Sequence, residues 1–65
     1  MKNFGIRLKR LRLEKGLTIE QLAKETGLGN YALSLWERNK RAITIGKLIK
    51  LAQYFNVTTD YLVGL

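Results

Sequence analysis

Cysteine, histidine and proline are all absent from this chain. Without cysteine there is no disulfide, thiolate zinc site or sulfur nucleophile, and the omission fits the reducing cytoplasm, where the protein is expected to act. With histidine missing too, and no serine or lysine set beside a base, the sequence offers no nucleophile-and-base pair, so no enzymatic activity is expected. Neither a phosphate-cradling glycine loop nor a cluster of metal ligands occurs, so no cofactor, metal or small-molecule ligand is expected. Apolar runs are short. Charges break every stretch long enough to cross a membrane, and Met1-Lys2-Asn3 leads into no uninterrupted apolar segment of the secretory kind.

What is present is basic and apolar. A hydrophobic fraction of 46% over 65 residues suits one small globular domain, residues 1–65, and is too high for a disordered chain. A domain of this size buries only about 60% of the surface its unfolded chain exposes, so its stability depends on good packing. Twelve Lys and Arg against five acids give a net charge of +7. The excess is clustered. Lys2, Arg7, Lys9, Arg10, Arg12 and Lys15 face only Glu14 in the first stretch, and Arg38, Lys40, Arg41, Lys47 and Lys50 form a second stretch without an acid. Polyanions are the natural partners of such a surface, nucleic acid before acidic membrane.

Glycine is sparse and placed as punctuation. Phe4, Leu8 and Leu11 recur at i, i+4, i+7 and predict a helix over about 3–15, closed by Gly16. Thr18 and Gln21 predict a capping box opening a second helix to about Thr26, ended by Gly27. A third helix is expected from Asn30 to Arg38, with Asn39 turning the chain out of it. A fourth starts at cap Thr44 and carries Ile45, Leu48, Ile49, Ala52 and Phe55 inward. Thr58 caps a last turn in which Tyr61 and Leu62 pack back before Gly64. The fold class is therefore all-α: a compact five-helix domain.

The most informative stretch is 19–38. Two short helices meet at a turn whose key residue is Gly27, with the small Ala23 four positions earlier and Leu22, Leu28, Leu33 and Trp36 supplying the contacts that hold one helix across the other. This is the spacing of a helix-turn-helix formed by helices 2 and 3, whose second helix lies in the major groove of DNA. On a 3.6-residue wheel Leu33, Trp36 and Glu37 fall on one side of that helix. Tyr31, Ser34, Leu35 and Arg38 fall on the other, with Asn30 at the leading edge.

Gly16-Leu17-Thr18, Gln21-Leu22-Ala23, Trp36-Glu37-Arg38, Leu48-Ile49-Lys50-Leu51-Ala52 and the ending Asn56-Val57-Thr58-Thr59-Asp60-Tyr61-Leu62 resemble the phage-repressor and Cro-like (Xre-type) helix-turn-helix regulators. The resemblance covers essentially the whole chain. It implies a lambda-repressor-like fold that binds operator DNA, usually as a homodimer. It also implies that Asn30, Tyr31, Ser34 and Leu35 approach base edges, that Arg38 approaches phosphate, and that Arg12 and Glu37 form a partly buried ion pair joining the first and third helices. Arg10, Thr18, Lys40 and Arg41 complete the expected phosphate-binding set.

Three positions depart from the family pattern. Ile19 stands where a phosphate-binding Gln is common, Gly29 where a capping Ser is common, and Ile43 in place of a frequent Pro. The reading helix is also poor in bidentate donors: Asn30 is the one good reader of that kind, while Tyr31 and Leu35 offer contact with thymine methyls. That inventory suggests an alternative, a protein-interaction or antitoxin module docking through the apolar Tyr31/Leu35 face. The ending Tyr61–Leu65 serves either as a dimer contact or as closure of the core.

Overall fold

Helix α1, Phe4–Glu14, turns Phe4 and Leu8 wholly inward and leaves Leu11 half-buried beside them. It is the first of five helices in the computed structural model, which describes residues 3–65; Lys2 of the basic stretch lies outside the described residues. Helix α2 spans Ile19–Thr26, α3 Asn30–Glu37, α4 Ile45–Phe55 and α5 Thr59–Val63, and the described residues contain no strand. The expected all-α, five-helix order is the observed one.

Local chemistry sets most boundaries. Gly16 and Gly27 take φ of +71° and +74°, a region that costs an L side chain strain and glycine little. At the start of α2 both halves of the capping box are made: the Gln21 N–H donates to Thr18 Oγ1 (3.0 Å), and the Thr18 N–H donates to Gln21 Oε1 (2.8 Å). Thr18→Ala should therefore lose about 1 kcal/mol, read as a lower urea midpoint at unchanged slope. Thr58 caps α5 in the same way, accepting from the Tyr61 N–H at 3.0 Å. Thr44 occupies the N-cap of α4, but its side chain makes no capping hydrogen bond. The helix thus starts where the sequence places it, without the side-chain bond of a full cap.

The core is Phe4, Leu8, Leu22, Leu28, Leu33, Trp36, Leu48, Leu51, Ala52 and Leu62, drawn from all five helices and the α2–α3 turn. Helix α1 packs on α3 and α5, α2 on α3 and α4, and α4 on α5. One correction concerns α4: Ile45 and Ile49, expected inward, are 68% and 42% exposed. The buried arc is Leu48, Leu51 and Ala52, with Phe55 half-buried. At about 100° per residue, Ile49 lies roughly 110° from the centre of that arc and Ile45 roughly 70° from it. At the ending, Leu62 is fully buried and closes the core, while Leu65 stays exposed.

Candidate nucleic-acid interface

Helix α3 is held from two sides. On the α2 side, the Thr26 hydroxyl donates to the Leu22 carbonyl (2.8 Å) and accepts from the Leu28 N–H (3.3 Å), stitching the turn around Gly27. On the α1 side, a Cβ built on Gly5 would lie 2.6 Å from the Trp36 carbonyl oxygen and 2.5 Å from that of Glu37, so the two backbones approach as closely as glycine permits. Beside this contact Arg12 meets the Glu37 carboxylate side-on: Nε donates to Oε2 at 2.6 Å and Nη2 to Oε1 at 3.0 Å. The side chains are only 9% and 5% exposed. The hydrogen bond to Glu37 raises the Arg12 pKa above its usual value and outweighs the opposing effect of burial. A guanidinium bound in this way stays charged at every working pH. Trp36 closes the end of the helix, its indole N–H donating to the Ala42 carbonyl at 3.3 Å.

So braced, α3 turns its other face outward. Leu33 and Trp36 are buried, and Tyr31, on the opposite side, is 70% exposed. Asn30 and Arg38 are exposed as well, and Ser34 and Leu35 are half-buried. The five residues assigned to this face by the helical wheel are thus together on it. The N-cap is Gly29, which has no side chain to offer the first N–H groups, and the first turn holds no acid. The N–H groups of Asn30, Tyr31 and Ala32 precede the first intrahelical bond, from the Leu33 N–H to the Gly29 carbonyl. Asn30 is the first helical residue rather than a cap.

The cations divide into those spent within the domain and those left outside. Arg12 is bound to Glu37; Arg7 lies 4.7 Å from the Tyr61 ring centroid and Lys15 4.4 Å from that of Tyr54. Tyr54 also donates to Glu25, and that hydrogen bond raises the phenol pKa, so the hydroxyl remains the donor at neutral pH. Arg38, Lys40 and Arg41, by contrast, are exposed on the turn that follows α3. This turn is shaped by Asn39 at φ +56° and by the Lys40 N–H donating to the Leu35 carbonyl at 2.8 Å. Thr18 is exposed at the start of α2, and Arg10 is exposed on α1, where it lines an open groove with Ile6, Lys9 and Leu13.

A family model described as Helix-turn-helix matches residues 8–62, a span reaching from the buried Leu8 of α1 to the buried Leu62 of α5. The chain belongs to the helix-turn-helix family. It is 40% identical over 62 residues to the HTH-type transcriptional regulator ImmR of Bacillus subtilis, covering 95% of this chain and 49% of that protein. Identity to the uncharacterized HTH-type transcriptional regulator YobD of the same organism is 36%, over 91% of this chain and 53% of YobD. The HTH-type transcriptional activator BcrR of Enterococcus faecalis is 37% identical, over 94% of this chain and 30% of its own length. The chain spans about half the length of the first two of these relatives.

Within this helix-turn-helix, the three positions expected to depart from the family pattern have structural counterparts. Ile19 and Ile43 are half-buried and pack against the core, so both positions serve stability. Gly29 leaves the α3 N-terminus without a side-chain cap. Two further features escape sequence reasoning. The Lys50 ammonium lies 3.5 Å from the position a Cβ would take on Gly27, beside the α2–α3 turn, because α4 packs on α2. The close approach at Gly5 has no local signal either, since its neighbours lie more than thirty residues away. No helix among the described residues is long and apolar enough to cross a membrane.

Proposed function

We propose that this domain reads operator DNA, with α3 in the major groove and two copies on one site. The observation that supports it best is the outward face of α3: Tyr31 is 70% exposed and Asn30, Ser34, Leu35 and Arg38 share its side, while the opposite side is locked to α1 and α2. In this reading Asn30, Tyr31, Ser34 and Leu35 meet base edges, and Arg10, Thr18, Arg38, Lys40 and Arg41 hold phosphates and set register. The unspent N–H groups at the start of α3 add donors and a favourable dipole for anions. The backbone extends 27 Å along its longest axis and carries one reading helix, whereas half-sites of such operators lie about 34 Å apart, so a two-part site calls for a homodimer. Repression by occlusion is the regulation we assign, because it requires nothing beyond occupancy of the site. The work is binding in the cytoplasm, with no catalytic step.

The test compares two variants on a panel of duplexes by fluorescence anisotropy. Lys40→Ala should weaken every sequence alike and reduce the slope of log affinity against log salt by about 1, from a wild-type slope of about −0.9 per neutralised phosphate. Asn30→Ala should lose preference at one defined base pair and leave the slope unchanged. A salt-independent wild type, or identical behaviour of the two variants, would refute the assignment.

A further inference from the structure

The reading face contains no cation until its last residue. From Asn30 to Glu37 the helix is NYALSLWE, without Lys, Arg or Gln. What it presents instead is two largely apolar side chains one turn apart: Tyr31, strongly exposed, and Leu35, half-buried four positions on. The floor of the major groove is mostly hydrogen-bonding edges. Hydrocarbon laid on such an edge displaces water without replacing its hydrogen bonds, which is unfavourable. One feature of the floor is itself apolar, the C5-methyl group of thymine.

We propose that Tyr31 and Leu35 make this domain a reader of pyrimidine C5-methyl groups, contacting thymine in unmodified DNA and accepting 5-methylcytosine, which carries the same methyl at the same ring position. The inference rests on α3 being the groove helix. Four residues of α-helix advance about 6 Å, and successive bases on a strand are about 3.4 Å apart. The two methyls therefore lie about two base-pair steps from one another along the helix. Asn30 precedes Tyr31 at the helix start, and a carboxamide is matched to the N6 and N7 positions of adenine. Adenine and methylated pyrimidine then describe one A·T-rich half-site. The Tyr31 hydroxyl, at the tip of an exposed ring, keeps its contact with water while the ring body covers the methyl.

The experiment begins by enriching duplexes from a random pool with the full chain. Each thymine of the best half-site is then replaced singly by deoxyuridine, which removes the methyl and keeps every hydrogen-bonding group. At two thymines about two steps apart, affinity should fall about three- to fivefold each, the effect of exposing one buried methyl. Tyr31→Ala should abolish the difference at one of them and Leu35→Ala at the other. Placing 5-methylcytosine at either position should retain more affinity than unmodified cytosine by a similar factor. Each comparison is a ratio on one protein sample, so a variant that is partly unfolded still returns the true discrimination. Selective binding that ignores deoxyuridine at every position would overturn the methyl assignment alone, as would variants that keep wild-type discrimination. Failure to enrich any duplex would overturn the groove helix with it.

Discussion

Arg12→Ala should cost about 3–5 kcal/mol, because it removes the ionic partner of a Glu37 side chain that is only 5% exposed at the α1–α3 junction. A domain this small sits near the lower end of the usual range of about 5–15 kcal/mol, so that loss brings it close to unfolding at room temperature. The melting temperature should drop by tens of degrees, since 1 kcal/mol moves it by about 4–8 °C in domains of this size. Glu37→Ala should be comparably severe, leaving the guanidinium unpaired. The double replacement Arg12→Met with Glu37→Leu separates the contribution of the pair from the penalty of breaking it. If the cost lies mainly in the stranded charge, the double variant should be markedly more stable than either single one. Equal instability of all three would show that the cost does not lie in the stranded charge. Differential scanning calorimetry checks each outcome.

The second large effect is expected at Gly5, where the sign of the change is the test. In a solvent-facing helix position Gly→Ala stabilises by about 1 kcal/mol through the backbone. Here the added methyl would meet the carbonyl oxygens of Trp36 and Glu37 at 2.6 and 2.5 Å. Both are backbone atoms within a packed helix and cannot rotate aside. Gly5→Ala should therefore be destabilising by about 1–3 kcal/mol, the usual cost of overfilling a close contact. A stabilised Gly5→Ala variant in urea denaturation would show that α1 and α3 can separate without loss. Gly46 is the control: a Cβ there meets nothing within 4 Å, so Gly46→Ala should show the ordinary helical gain.

These two residues also mark where sequence reading stops. The capping box at Thr18 and Gln21 was legible because both partners lie within one turn of chain. Leu33 and Trp36 were legible because an eight-residue helix crossing a hydrophobic core shows its buried side as a period. The same period placed Leu48, Ala52 and Phe55 of α4 correctly and Ile45 and Ile49 wrongly. Ile45, Leu48, Ile49 and Ala52 form one stripe and Leu48, Leu51, Ala52 and Phe55 another, overlapping at Leu48 and Ala52. Which stripe is buried depends on where α2 and α5 sit, and periodicity along one helix carries no such information. The outward face of α3 followed from the wheel, because a helix packed on one side shows its free side as the complementary period. The Arg12–Glu37 pair, 25 positions apart, followed from family resemblance and from nothing local. Gly5 and the position of Lys50 beside Gly27 depend on tertiary contacts alone.

Arg12 has one more consequence. Its third nitrogen, Nη1, donates to the Leu17 carbonyl at 2.8 Å, so a single planar group is bonded at once to the end of α3 and to the segment that leads into α2. The relative tilt of the two rods is therefore decided during folding, well before any duplex arrives. A flexible ammonium could not hold both directions at once, and Arg12→Lys is not a conservative exchange here. A helix pair tied together in this way has less conformational freedom to give up when it binds.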